Sequence, residues 1–185
     1  PWGWWPLAFV GIALVDRLLA DRPAPSRFRR MWLVAAFWLY PSTVWMLDLS
    51  IPGYLVSQAI YAAMFGLLAM AVPPGRGRRV ALPGAFVLAE WWRWTWPFGG
   101  VPLSTIPMGQ VDSPLAPTVR TLGPLLLVAL VAGIGVALSA AFERRWLTPA
   151  VVAVVVVAAL GWATVAPDGY AIDEIDVAVV QGGGR

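Results

Sequence analysis

Six apolar stretches, each near the roughly 20 residues that cross a bilayer core, alternate with breaks that hold most of this chain's arginine. They run Trp4–Ala20, Met31–Leu49, Pro52–Val72, Val80–Trp96, Val119–Phe142 and Trp146–Ala166. Hydrophobic residues make up 59% of the chain and charged ones 12%, against roughly 45–50% and about 25% in soluble domains. With a mean hydropathy of +0.73, most of the surface of such a chain has to be solvated by lipid. The expected fold is an all-α polytopic membrane bundle of about six helices.

The breaks differ in charge in strict alternation. Arg17, Arg22, Arg27, Arg29 and Arg30 fill the first, Arg76, Arg78 and Arg79 the third, and Arg144 and Arg145 the fifth. The intervening breaks carry Asp48, Asp112, Asp168, Asp173, Glu174 and Asp176 instead. Because cytoplasmic loops retain Lys and Arg, the three arginine-rich breaks are assigned to the inside, and the start, the 97–118 loop and the tail to the outside. Tryptophans cluster near the proposed boundaries, as amphipathic rings do at membrane interfaces. The basic balance is thus a topology signal, not a sign of nucleic-acid binding.

No cysteine and no histidine occurs in the 185 residues, which removes thiol nucleophiles, disulfides, imidazole bases and the usual zinc ligands. The start on Pro1 and the close on Gly182-Gly183-Gly184-Arg185 lead to the expectation of a fragment at both ends. After Pro167 the run Val177-Ala178-Val179-Val180, ended by Gln181-Gly182, reads as a buried strand opening a new domain. The expected division is a helix bundle over 1–167 and the start of an extracytoplasmic domain over 168–185.

Within the spans, Glu90 and Arg93 stand three apart and share one helix face. Ionisable residues there are expensive and face a protein interior, a cavity or each other. Two readings stand side by side: a polar site near the outer leaflet, where Arg93 holds a lipid phosphate or orders the following loop, and an ion pair that only anchors the helix end. The Gly- and Pro-rich loop through Phe98, Gly99, Gly100, Pro102 and Gln110 is expected to be semi-rigid and to dip into the interface, as a gate for a lipid tail or as a plain connector. Ala129, Gly133, Gly135 and Ser139 place small residues along the fifth stretch, where backbones can approach closely. Arg120, Asp16 and Arg17 read as interfacial, and Gln58 and Tyr61 as hydrogen-bonding groups between helices.

Glu90-x-x-Arg93, then Phe98-Gly99-Gly100-Val101-Pro102, Gly109-Gln110, a Gly-rich helix and the terminal strand occur in an order that resembles the membrane half of the bacterial apolipoprotein N-acyltransferases, of actinobacterial type. The resemblance implies an extracytoplasmic nitrilase-like domain after the last span, here departing from the family pattern with Gly183 where Asn is usual. It also implies transfer of an acyl chain from a phospholipid, through a thioester on a cysteine, to the amine of a diacylglyceryl-modified lipoprotein. The family's catalytic Glu, Lys and Cys lie beyond this strand, so no catalytic residue falls on this sequence and the fragment is expected to be inactive. No cofactor or metal is implied. Glu90, Arg93, Phe98, Gly99, Gly100, Pro102 and Gln110 are implied to line the lipid-facing entry side of a protein in the bacterial cytoplasmic membrane. In some actinobacteria the resembling domain accompanies a polyprenol-phosphate mannosyltransferase, a candidate partner. The competing class is a non-enzymatic transporter or scaffold, with Glu90 and Arg93 on a polar pathway.

Overall fold

The computed structural model describes residues 3–97, 100 and 103–167. Among these the α-helices follow in the order α1 (Pro6–Leu19), α2 (Ala24–Ser42), α3 (Ile51–Ala71), α4 (Arg78–Thr95), the short α5 (Val119–Leu122), α6 (Pro124–Phe142) and α7 (Leu147–Val165), and no strand occurs among the described residues. The expected strand at 177–180 lies outside the described residues.

Local chemistry sets the helix starts. A proline occupies the first or second position of α1, α2, α3 and α6, where its missing N–H would be unsatisfied anyway. Ser50 caps α3, its hydroxyl accepting from the Gly53 N–H at 3.2 Å. Gly123, at φ +75°, separates α5 from α6 ahead of Pro124, so the fifth apolar stretch is two helices rather than one.

The second stretch also begins earlier than hydropathy places it. Arg27, Arg29 and Arg30 look like a polar break but fold into the first turns of α2. Arg27 is buried there, donating from Nε to the Ala69 carbonyl (3.1 Å) and from Nη2 to that of Met70 (2.8 Å). It thereby satisfies the orphan carbonyls at the end of α3.

Helices α3, α6 and α7 are each long and apolar enough to cross a membrane. The other four owe their lower hydropathy or shorter length to identifiable features: α5 has 4 residues, α1 has 14, α2 carries three arginines, and α4 carries Arg78, Arg79, Glu90 and Arg93. The chain turns place Arg27, Arg30, Arg78, Arg79 and Glu143 at one end of the bundle, linked by hydrogen bonds and ion pairs across helices. Ser42, Glu90, Ser104, Ile106, Gln110 and the first residues of α1 gather at the other.

Helix α6 is the central element, packing on α1, α4 and α7, while α2 lies along α3 and α3 along α4. Among its small residues, Gly135 makes the close approach that their spacing anticipates. A Cβ on Gly135 would sit 2.6 Å from Ile12 and 3.0 Å from the Phe9 carbonyl, so α1 and α6 touch backbone to backbone. At Gly133 a Cβ would meet Val152 at an ordinary 3.8 Å. Gly135→Ala is therefore expected to lower the unfolding midpoint, at a cost of about 1–3 kcal/mol from overpacking. Gly133→Ala is expected to leave it unchanged or raise it, since alanine is the better helix former. Thermal unfolding of the two variants side by side checks this.

Asp16 corrects the sequence reading. It is fully buried, not interfacial, and its Oδ1 accepts from Arg78 Nε at 2.6 Å while its Oδ2 accepts from the Ser139 hydroxyl at 2.6 Å. Three helices, α1, α4 and α6, thus meet at one carboxylate.

Candidate functional site: a clamped loop over an apolar groove

The last turns of α4 carry Glu90 and Arg93, both fully buried or nearly so, at 0% and 1% exposure. Glu90 Oε2 accepts from Arg93 Nη1 (2.9 Å) and from the Trp94 indole N–H (3.0 Å). Its other oxygen accepts the backbone N–H of Ile106 at 3.1 Å. Arg93 Nη2 donates to the Leu103 carbonyl at 2.6 Å, and Nη1 reaches that of Ser104 at 3.4 Å. The guanidinium lies 5.5 Å from the Tyr61 ring centroid and 5.7 Å from that of Trp38. Two aromatic rings from α2 and α3 therefore flank the cation that α4 turns toward the loop.

The result is a clamp in which one ion pair holds both a donor and two acceptors of the 103–106 backbone. Further ties fix the same loop. Ser104 donates to the Ser42 carbonyl at the end of α2 (3.2 Å), and the Gln110 amide donates to the Trp5 carbonyl before α1 (3.1 Å). Gln110 is fully buried, and its Oε1 has no partner among the described residues. Gly100 takes φ +86°, donates to the Pro97 carbonyl at 3.0 Å and lies so close to the Trp94 carbonyl that a Cβ would collide with it. Phe98, Gly99 and Pro102 lie outside the described residues.

Of the residues singled out in the sequence, Glu90, Arg93 and Gln110 converge on this loop, with both charged side chains turned into the bundle. Arg120 instead donates to the Ala163 carbonyl at the end of α7 (2.9 Å). Gln58 is buried on α3, where its amide approaches Met46 Sδ (3.5 Å) and the Ser57 hydroxyl (3.2 Å).

Beneath the loop a cavity of about 530 Å³ opens between α1 and α2, lined by Trp5, Ala8, Gly11 and Ile12, by Met31, Val34 and Trp38, and by Phe86, Thr105, Ile106 and Gln110. A second, of about 610 Å³, shares Gly11, Val15 and Val34 with it and continues to Arg17, Arg22 and Arg30. Together they form an apolar groove from the clamped loop to the arginine-rich end. Each volume falls within the roughly 300–1,000 Å³ of small-molecule sites. Sequence reasoning did not find this groove, because its walls are ordinary apolar residues whose only distinguishing mark is that α1 and α2 splay.

The fold and the site define a helical membrane domain that straps an end loop over an apolar groove. Residues 1–137 match the family described as the apolipoprotein N-acyltransferase N-terminal domain, and the chain belongs to that family. It is similar to the apolipoprotein N-acyltransferase of Photobacterium profundum, with 30% identity over 98% of this chain and 39% of the relative. The chain thus spans well under half the length of that curated relative.

Proposed function

We propose that this chain is the membrane domain of a lipoprotein N-acyltransferase, and that its groove seats an acyl chain of the lipid substrates below an extracytoplasmic nitrilase-like catalytic domain beginning near residue 168. The observation that carries the reading is the apolar groove capped by a clamped loop, in a chain of this family. In this reading the chain crosses the membrane six times, with the arginine-rich end in the cytoplasm and the clamp and the tail on the outer side.

In this reading an acyl chain of a phospholipid donor, or of the diacylglyceryl group on the acceptor, lies against Gly11, Ile12 and Val34. Its polar end stops at the loop. Gln110 borders that end of the groove and ties the loop to the start of α1 through the Trp5 carbonyl. Glu90 and Arg93 are positioning residues that hold the loop's shape and so set the distance between lipid and catalytic domain. The chemistry itself, attack of a thiolate on the donor ester with release of the lysophospholipid, then attack of the lipoprotein amine on the thioester with release of the thiolate, needs a cysteine from outside these 185 residues.

Gly11 gives the direct test, because it lines both cavities and a Cβ there would meet nothing within 4 Å. Gly11→Phe in the full-length enzyme projects a ring into the groove from a Cβ position that meets no packed atom. Acyl transfer from phospholipid to a diacylglyceryl peptide in proteoliposomes is expected to fall at least about tenfold in kcat/KM, about 1.4 kcal/mol, with the unfolding midpoint unchanged. Full activity in that variant would remove the groove from the lipid path.

A further inference from the structure

At the opposite end of the bundle from the clamp, a polar cavity of about 210 Å³ between Arg76, Arg79, Arg145, Asp21 and Glu143 adjoins an apolar groove of about 560 Å³ between α4 and α7. Arg76, Arg79 and Arg145 line both. The groove's walls are Val80, Trp146, Leu147 and Val151, which are 82%, 68%, 79% and 54% exposed. A row of bare apolar side chains running away from a cluster of cations has the shape of one molecule with an anionic head and a hydrocarbon tail.

The charge balance favours an anion. Arg78, which also borders the polar cavity, is committed to buried Asp16. Glu143 serves Arg79 and Arg145 together, so among the described residues that line the cavity Arg76, Arg79 and Arg145 face only Glu143 and Asp21 as acidic groups. Arg79 is itself about nine-tenths buried, and its Nε has no acceptor among the described residues. Helix α7 also opens here with no side-chain cap, leaving its first N–H groups directed at this end, where the helix dipole favours negative charge. Thr148 adds a hydroxyl to the groove wall.

We propose that this is a binding site for one anionic phospholipid of the cytoplasmic leaflet, its phosphate held by Arg76, Arg79 and Arg145 and one acyl chain lying along Val80, Trp146 and Val151. The site is distinct from the groove between α1 and α2 and belongs to the leaflet opposite the clamp. A free phosphate would use the arginines but not the valine-lined groove, and a zwitterionic lipid would bring its own ammonium to a site already rich in cations.

Native mass spectrometry of the full-length enzyme, titrated in detergent with phosphatidylglycerol or phosphatidylcholine, tests the proposal. One phosphatidylglycerol is expected to stay bound with at least about tenfold preference over phosphatidylcholine. The double variant R76Q/R145Q, which leaves the Arg79–Glu143 pair intact, is expected to abolish that preference, and V151W to weaken retention of the lipid without changing the unfolding midpoint. Excess inorganic phosphate should not displace it. Equal retention of the two lipids, unchanged preference in R76Q/R145Q, or displacement by inorganic phosphate alone would each overturn the assignment. Because Gly11→Phe reads the other groove through acyl transfer, the two proposals stand or fall separately.

Discussion

Arg93→Ala is expected to destabilise the protein by about 3–5 kcal/mol, because it leaves the Glu90 carboxylate buried at 0% exposure without its counter-charge. Two loop carbonyls, of Leu103 and Ser104, lose their donor in the same step. Hydrogen exchange at the Ile106 amide, which Glu90 accepts, should accelerate, and under the proposed function acyl transfer by the full-length protein should fall with it. Arg93→Lys is expected to recover part of the stability and little of the loop order, since an ammonium cannot reproduce the planar fork that reaches Glu90 and Leu103 together. A double replacement, E90L/R93M, separates the two effects. Removing both charges in favour of apolar groups is often neutral for stability, so the unfolding midpoint should return toward that of the parent while the 103–106 amides remain fast. Slow exchange in that double variant would show that the loop does not depend on the ion pair.

Asp16→Ala is expected to cost a similar 3–5 kcal/mol, for a different architectural reason. Arg78 is 5% exposed and loses its counter-ion, and the Ser139 hydroxyl loses its acceptor. The junction of α1, α4 and α6 then carries an uncompensated cation. Asp16→Asn keeps the shape and one acceptor oxygen and should cost less. Ser139→Ala removes a single hydrogen bond and should cost about 1 kcal/mol. Unfolding midpoints in that order, Ala below Asn below the Ser139 variant, are the expected result. A near-neutral Asp16→Ala would mean that water or headgroups reach Arg78 once the carboxylate is gone.

The helices were largely legible because lipid exposure and length leave a strong hydropathy signal, and the apolar runs at 52–72, 80–96 and 146–166 end within two residues of α3, α4 and α7. Where the reading slipped, polarity was misassigned to a loop. Arg27 lies in a helix because its partners are the end carbonyls of a neighbouring helix, which no sequence pattern announces. Asp16 looked interfacial beside Arg17, whereas its real partner, Arg78, is 62 residues away. Glu90 and Arg93 were visible through their spacing, and Gly135 through its small neighbours. What the pair holds was not visible, because its targets are main-chain groups at 103, 104 and 106. The α1–α2 groove was hidden for a related reason: an absence of packing has no residue signature.

The clamp has one consequence for how such a loop can diverge. Glu90 and Arg93 grip a backbone N–H and two backbone carbonyls, groups that every non-proline residue offers alike. The grip is therefore indifferent to the side chain at Leu103, which can be exchanged for a wide range of others without rewiring the attachment. The surface of the loop can therefore change at that position while the attachment that holds it stays constant.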